Sequence, residues 1–282
     1  MAAASSRRTA KASTPRRPQV VAHRGSSHER AEHTLGAYLA ALEDGAEGLE
    51  CDVRLTADGH LVCVHDRDLR RTGNKRGVVS TMQLADLDEI DFAQWKNPWA
   101  DLDDEAPEVD ESHNKVLTLR RLLETVADYD RRIELAIETK HPTRYAGLVE
   151  RRLVELLGEF GWTGADAPVR IMSFSQIALH RVRRLAPEID LVFLLDKVYA
   201  WRLSAAIREQ RWIAGPGIEL LREQPRLARK LVREGLRMHV WTVNTPEDLD
   251  LCRSLGVEAV ITDRPRMALA HYGVTEDERP MA

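Results

Sequence analysis

Short apolar runs alternate along this chain with amphipathic stretches of helical spacing, from residue 19 to residue 271. Apolar runs of about four to eight residues predict buried strands, and apolar positions that recur every three or four residues predict helices packed over them. Strands are predicted at 19–22, 48–53, 132–138, 169–173, 190–195, 212–215, 237–243 and 258–261. Helices are predicted at 34–44, 143–158, 175–185, 199–210, 225–234, 246–255 and 265–271.

A ninth apolar run, 61–64, follows the dipeptide Asp58-Gly59, which is typical of a tight hairpin turn. We therefore expect this run to pair back on the second strand. The eight remaining strands are almost all followed by a helix. Such alternation favours a parallel sheet, and eight units fit a (β/α)8 TIM barrel better than an open doubly wound sheet. No G-x-G-x-x-G follows the first strand, so the dinucleotide-binding form of the open sheet loses its main support. The sequence predicts one α/β barrel domain over 19–275.

Three segments depart from this regular pattern. Between 66 and 118 the periodicity loosens, which predicts an insertion after the second strand and its hairpin arm; the seven acids and no base within 101–111 predict that it is acidic and exposed. Residues 1–18 are basic and rich in Ala, Ser, Thr and Pro, which predicts a disordered tail. Arg7-Arg8 is followed by no apolar segment of an export signal, so a cytoplasmic location is favoured. Residues 276–282 form a C-terminal tail.

Composition narrows the class of protein further. With 41 Lys and Arg against 45 Asp and Glu, the net charge of −4 argues against a dedicated nucleic-acid binder. Three cysteines cannot form a disulfide framework or a cysteine-rich zinc site. No apolar run approaches the ~20 residues that span a bilayer, so stable membrane insertion is not expected. The composition does not decide the oligomeric state.

Charged and polar residues follow the apolar runs at the ends of several predicted strands, where TIM barrels hold their active sites. Glu50 and Asp52 are two residues apart on a strand and therefore face the same side, and Glu138 and Lys140 repeat that spacing. Three carboxylates at one barrel mouth would repel one another without a cation, and oxygen ligands select a hard divalent ion, Mg²⁺ or Ca²⁺. The structural alternative is that these carboxylates only form salt bridges with Arg24 and Lys140.

Two histidines stand at the same predicted edge, His23 after the first strand and His65 after the hairpin arm. A pair of histidines can supply one proton acceptor and one proton donor near neutral pH. Arg24 offers a planar fork for a phosphate, and Lys140 a point charge. A hard metal, a histidine pair and two cations together suit phosphoryl transfer on a diester.

Six sequence blocks in this order resemble the glycerophosphodiester phosphodiesterase family: V-A-H-R-G (21–25), A-E-H-T (31–34), G-L-E-C-D-V (48–53), L-V-C-V-H-D (61–66), I-E-T-K (137–140) and W-T-V-N (241–244). The resemblance implies a TIM barrel that uses a divalent metal to hydrolyse glycerophosphodiesters, such as glycerophosphocholine and glycerophosphoethanolamine, to sn-glycerol 3-phosphate and an alcohol.

Carried over by position, the resemblance implies a role for each candidate. It makes His23 the proton acceptor and His65 the donor, with a free glycerol hydroxyl attacking the phosphorus to give a cyclic phosphate that water opens. It assigns the metal to Glu50, Asp52 and Glu138, and the substrate to Arg24, Lys140 and Trp241. The chain departs from the family pattern P-E-N-T at one position, where His33 replaces the Asn. We interpret that change as a tuning difference.

Other interpretations stay open at this stage. The same barrel could act as a lysophospholipase D or a cyclising phospholipase, although an acidic insertion would repel anionic membranes. A barrel that binds phosphate without catalysis would be marked by loss of a histidine or carboxylate, and all are retained. Trp95 and Trp99 could form a lid or ordinary loop packing, and His141 could touch the rim of the site.

Overall fold

The computed structural model describes residues 17–96, 110–141, 144–196 and 204–274. Residues 1–16 of the predicted basic tail, Trp99, most of the acidic run and the C-terminal tail lie outside the described residues.

Parallel strands form the wall of a barrel. The strands of the described chain are β1 Gln19–His23, β2 Gly48–Leu55, β3 Leu61–Cys63, β4 Glu134–Thr139, β5 Val169–Ser173, β6 Asp190–Leu195, β7 Ile213–Pro216, β8 His239–Val240 and β9 Ala259–Thr262. They are ordered β7-β6-β5-β4-β2-β1-β9-β8, and β3 pairs antiparallel with β2 outside this path. Isolated parallel bridges join Ala214 to Met238 and Gly217 to Trp241, which brings β8 back to β7. The predicted TIM barrel with its hairpin arm is confirmed.

Helices cover the outside of the barrel. Those described are α1 Leu35–Glu43, α2 Leu84–Asp88, α3 Leu119–Ala127, α4 Leu148–Glu159, α5 Gln176–Leu185, α6 Ser204–Glu209, α7 Ile218–Glu223, α8 Pro225–Arg233, α9 Pro246–Ser254 and α10 Pro265–His271. Side chains of Thr34, Thr118, Ser175 and Thr245 accept hydrogen bonds from the first turns of α1, α3, α5 and α9. None of the helices that the structure describes combines the length and apolar character needed to cross a bilayer.

Strand bounds differ from prediction at two places that bear on the site. Strand β2 continues to Leu55 instead of ending at residue 53, because antiparallel pairing with β3 extends its ladder through Arg54. The predicted strand 237–243 is reduced to β8, because the backbone of Trp241 bonds to Pro216 and Ile218 in the β7–α7 turn. Helices α2, α3 and α7 were not predicted; α2 has five residues and α7 six, too few for a periodic pattern.

The described part of the predicted insertion is folded. Its described residues form α2 and two 3-10 turns, Val79–Thr81 and Glu111–Asn114. Its apolar residues form a small core of their own against β3, made of Val62, Val64, Leu69, Val79, Leu87, Ile90, Phe92 and Val116. The insertion therefore packs beside the hairpin arm, next to the end of β2.

Alternation along the strands separates two environments. Leu49, Cys51 and Val53 of β2 lie in the main core between barrel and helices, whereas Glu50 and Asp52 face the barrel interior. Apolar side chains fill that interior below them: Val21, Ala136, Met172, Val192, Leu194, Ile213, Ala259 and Ile261. The candidate site thus lies on a packed apolar floor.

Candidate active site

Three buried carboxylates meet at the carboxyl end of the barrel. Parallel pairing sets Asp52 beside Glu138 in adjacent strands, with Glu50 two residues earlier on β2. Glu50, Asp52 and Glu138 each offer an oxygen, and these oxygens lie within 4.8 Å of one another. An all-carboxylate set of this kind fits a hard divalent cation.

Two cations already contact this cluster. Lys140 Nζ lies 2.9 Å from both Asp52 Oδ1 and Glu138 Oε1, and Arg24 Nε lies 3.0 Å from Asp52 Oδ2. The salt bridges of the structural alternative are therefore present. When all three carboxylates are ionised they exceed these two cations by one negative charge, which a divalent ion would turn into one positive charge ready for a phosphodiester anion.

The pKa values of the cluster reflect this crowding. Burial and the neighbouring Asp52 raise the pKa of Glu50 well above its usual range. The same two causes raise the pKa of Glu138 to about 8. Burial also acts to raise the pKa of Asp52, but Lys140, His33 and Arg24 together hold it well below its usual range. Protons therefore occupy part of the site when no metal is bound.

His23 ends β1, and each of its two ring nitrogens lies near a carboxylate. Its Nδ1 lies 2.6 Å from Asp263 Oδ1, and its Nε2 lies 3.9 Å from Glu50 Oε2. Asp263 is itself held by hydrogen bonds from Asn244 Nδ2 (2.6 Å) and Ser27 Oγ (3.0 Å). This arrangement fixes Nδ1 as the donor to Asp263 and leaves Nε2 as the nitrogen that can meet a substrate.

His65 is held in a similar way, with a carboxylate next to its Nδ1. Its Nδ1 lies 2.8 Å from Asp66 Oδ1, while Asp66 Oδ2 accepts a hydrogen bond of 2.7 Å from Arg71 Nε. Arg71 also pairs with Glu32 through both carboxylate oxygens and lies over the ring of Trp95. Burial lowers the pKa of His65 to about 4, with Arg24 and Lys140 acting in the same direction and Asp52 and Asp66 opposing them.

All of the sequence candidates except Asp52 line one cavity of about 200 Å³. Its polar side is formed by His23, Arg24, Glu50, His65, Glu138 and Lys140. Its apolar side contains Trp241, fixed by a 2.7 Å hydrogen bond from Nε1 to the Gly215 carbonyl, and Phe174, which meets that ring edge-on. Asp52 is buried directly behind, 1% exposed, in contact with Lys140.

A larger cavity, about 830 Å³, lies at the opposite end of the barrel. Its charged residues form salt bridges with one another, such as Arg17 with Glu47 and Arg237 with Asp190 and Glu258. It contains no histidine and no carboxylate cluster among the residues that line it. TIM-barrel active sites lie at the carboxyl ends of the strands, and side chains at this opposite end generally stabilise the fold.

His33, the departure from the family pattern, is buried against the carboxylates. Its Nε2 lies 2.9 Å from Asp52 Oδ2, and its Nδ1 lies 2.9 Å from the hydroxyl of Tyr38, which donates to the Glu50 carbonyl. The imidazole therefore contacts the Asp52 carboxylate directly and, through Tyr38, is linked to the backbone of Glu50. His28, from the same loop, is exposed.

Asp263 contacts His23 in this arrangement but was not among the sequence candidates. It directly follows Thr262, the last residue of β9, and stands two residues after the predicted apolar run 258–261. Polar residues at the ends of other strands were singled out by the same position. Its pKa lies below the ordinary range, because hydrogen bonds from His23, Asn244 and Ser27 outweigh the effect of burial, which alone would raise it.

Replacing Asp263 with Asn is expected to lower kcat by about 10- to 100-fold, as loss of a residue that orients a catalytic or ligating imidazole does. The amide would leave His23 free to turn or to change its tautomer. The pH profile of kcat should shift, whereas the thermal midpoint and the metal affinity should change little. An unchanged pH profile with a lower thermal midpoint would mean that Asp263 has a purely structural role.

Comparison with known proteins gives a consistent result. The sequence profile of the Glycerophosphoryl diester phosphodiesterase family matches residues 23–267. The chain is 43% identical over 252 residues to the probable glycerophosphodiester phosphodiesterase 1 of Mycobacterium tuberculosis, covering 88% of this chain and 90% of that protein. It is 33% identical over 261 residues to the glycerophosphodiester phosphodiesterase of Bacillus subtilis, covering 89% and 85%.

Solved structures agree. An Oleispira antarctica phosphodiesterase, solved in complex with the product sn-glycerol-3-phosphate, superposes with a TM-score of 0.75 at 25% identity, over 90% of this chain and 96% of that chain.

Proposed function

The chain belongs to the glycerophosphoryl diester phosphodiesterase family, and from that premise we propose that it hydrolyses small glycerophosphodiesters to sn-glycerol 3-phosphate and a free alcohol with the aid of a divalent metal. It is thus a phosphoric diester hydrolase. The observation that carries the proposal is the meeting of two carboxylate-held histidines, two cations and three buried carboxylates around one small cavity.

Glu50, Asp52 and Glu138 would hold the metal. A divalent ion bound there supplies positive charge next to the phosphoryl oxygens, which stabilises the charge that develops in the transition state. The excess negative charge of the cluster and the raised pKa of Glu138 support this assignment, since both are relieved when a cation binds. The donor set does not distinguish Mg²⁺ from Ca²⁺.

Arg24 and Lys140 would bind the phosphate, and Trp241 would pack against the glycerol. The cavity of about 200 Å³ fits a fragment of the size of glycerol phosphate and is smaller than the ~300–1,000 Å³ of pockets that take drug-sized ligands. Its apolar side matches the C–H face of glycerol, and its cations match the phosphate. These features favour a small soluble substrate over the acylated substrate of a lysophospholipase D.

The two histidines would move the protons. His23 Nε2 accepts the proton of the glycerol hydroxyl next to the phosphate. The oxygen of that hydroxyl forms a bond to phosphorus and gives a cyclic phosphate. His65 Nε2 donates a proton to the alcohol oxygen as its bond to phosphorus breaks. In the second step, His65 takes a proton from water and the water oxygen bonds to phosphorus. The bond from phosphorus to the glycerol oxygen that attacked in the first step then breaks, and His23 returns its proton to that oxygen.

The donor role requires a protonated His65, whereas burial keeps this imidazole neutral at pH 7 in the free protein. A bound phosphodiester anion between Arg24 and Lys140 would offset the two cations that lower the pKa of His65. We therefore propose that His65 gains its proton as the substrate binds.

Purified protein is expected to release sn-glycerol 3-phosphate from glycerophosphocholine or glycerophosphoethanolamine. EDTA should abolish the release, and Mg²⁺ or Ca²⁺ should restore it, which also shows which metal acts. A His23→Ala preparation controls for contaminating phosphodiesterases. Release from lysophospholipids alone would favour the lysophospholipase D alternative, and binding of the diester without any release under either metal would favour a non-catalytic barrel.

A further inference from the structure

A second cavity, of about 720 Å³, adjoins the candidate active site. It lies between the end of β2, the insertion after the hairpin arm and described residues on either side of the start of α4, Arg144, Tyr145 and Val149. Lys140 lines both cavities. The residues that line the second cavity are Arg54, Leu55, Arg67, Val78, Ser80, Thr81, Lys140, His141, Arg144, Tyr145 and Val149.

The lining of this cavity is strongly cationic. It contains three arginines, a lysine and a histidine, and no carboxylate. Arg54, Arg67 and Arg144 form no salt bridge with any carboxylate of the described residues, although many arginines elsewhere on the protein do. Acids close to this cavity already pair with other groups. Asp52 and Glu138 contact Lys140, Asp66 pairs with Arg71, and Glu150 lies 2.9 Å from His141 Nε2. The excess positive charge of these arginines attracts an anion.

The cavity lies on the side of the site where the alcohol would leave. Arg54 donates two hydrogen bonds, of 3.0 and 2.7 Å, to the backbone carbonyl of His65. His65 is the proposed proton donor to the departing alcohol, so that alcohol must lie close to its ring. From there the alcohol can extend past Lys140 into the second cavity.

The guanidinium of Arg54 keeps donors for a ligand. Its Nε and one hydrogen of Nη2 donate hydrogen bonds to the His65 carbonyl. The remaining N–H groups of Arg54 have no hydrogen-bond partner among the described residues. Arg67 and Arg144 are exposed at the edge of the cavity and add charge there. Ser80 and Thr81 also line the cavity, and the Thr81 hydroxyl donates to the Val78 carbonyl, while Leu55, Val78 and Val149 add an apolar part to the lining.

We propose that this cavity is a subsite for an anionic group on the leaving alcohol, and that the preferred substrates are glycerophosphodiesters whose alcohol itself carries a phosphate. This inference rests on the proposed function and extends it to the class of leaving group. A cavity of about 720 Å³ has room for a phosphorylated sugar or polyol.

The test compares two substrates that differ only in one phosphate, glycerophosphoinositol and glycerophosphoinositol 4-phosphate. Release of sn-glycerol 3-phosphate is measured for both, with the active metal present, by coupled oxidation. The kcat/KM of the substrate with the phosphorylated inositol is expected to exceed that of glycerophosphoinositol by about tenfold or more, the effect of one or two charge-assisted hydrogen bonds. The ratio should fall as the salt concentration rises.

Arg67→Gln and Arg144→Gln should each lower that ratio severalfold while leaving the kcat/KM of glycerophosphoinositol unchanged. Arg229→Gln is the matched control, because Arg229 is exposed on α8 and lines none of the three cavities. Equal kcat/KM values for the two substrates, or a ratio that survives both substitutions, would overturn the inference. Absence of release from both substrates would instead count against the proposed function.

Inorganic phosphate separates a subsite for the substrate from a site for a free anion. If the cavity serves the leaving group, phosphate should inhibit hydrolysis of glycerophosphoinositol 4-phosphate competitively, and less strongly in Arg67→Gln than in the wild type. Phosphate that activates hydrolysis of glycerophosphoinositol, with an effect that disappears in Arg67→Gln, would show a free-anion effector site and overturn the inference.

Discussion

Replacing Glu138 with Gln is expected to lower glycerophosphodiester hydrolysis by about 1,000-fold or more and, at the same time, to make the metal-free protein more stable. The loss of rate follows from the loss of the metal, whose stabilisation of transition-state charge amounts to several kcal/mol, about tenfold in rate for each 1.4 kcal/mol. The gain in stability follows from the crowding of the empty cluster, where burial and Asp52 raise the pKa of Glu138 to about 8.

The raised pKa of Glu138 also makes the stability of the metal-free protein depend on pH. A glutamate in the unfolded chain titrates near pH 4.3, so between that pH and about 8 the folded protein binds more protons than the unfolded one. The free energy of unfolding of the metal-free protein should therefore fall as the pH rises through this window. The Glu138→Gln variant should lose much of that slope.

Thermal unfolding with and without metal checks both effects. Mg²⁺ or Ca²⁺ should raise the midpoint of the wild type and leave that of Glu138→Gln unchanged. Glu134→Gln is the matched control, since Glu134 starts the same strand, pairs with Arg132 at the opposite end of the barrel and should change neither rate nor metal response. A Glu138→Gln protein whose midpoint still rises with metal would show that the cation binds elsewhere.

The composition of the carboxylate cluster could be predicted from the sequence because strand geometry is periodic. Glu50 and Asp52 share a face by the two-residue repeat, and a parallel neighbour with the same spacing brings Glu138 beside them. The barrel itself followed from the alternation of apolar runs and helical stretches. Local pattern and global fold agree in these parts of the chain.

Features that depend on several loops could not be predicted. The second cavity joins Arg54, Arg67 and Arg144, which belong to a strand, an insertion and a segment before a helix and share no motif. His33 reaches Asp52 only because its backbone adopts a φ of +59°, a left-handed conformation that the sequence does not signal. The end of β8 at Val240 depends on how Trp241 bonds to the neighbouring turn.

The His65→Ala variant is expected to lose about 100- to 10,000-fold in kcat with glycerophosphocholine, the usual contribution of a general acid, but far less with a p-nitrophenyl ester of glycerol 3-phosphate. Choline leaves as a strongly basic alkoxide and needs a proton as its bond to phosphorus breaks. The nitrophenolate ion is a weak base and leaves without one. The difference between the two substrates therefore isolates the donor role from binding and from metal effects.

His23→Ala provides the opposite case, because removal of a proton from the attacking hydroxyl is required whatever the leaving group. Its loss should be large with both esters. His60→Ala, an exposed histidine on the hairpin turn whose ring lies 3.8 Å from Asp58, serves as the control and should match the wild type with both. If the nitrophenyl ester instead rescues His23→Ala and not His65→Ala, the two histidines exchange roles, in keeping with the neutral state of His65 in the free protein. If it rescues neither, the leaving oxygen takes its proton from a group other than these two, and the carboxylate-held pair acts on the attacking side alone.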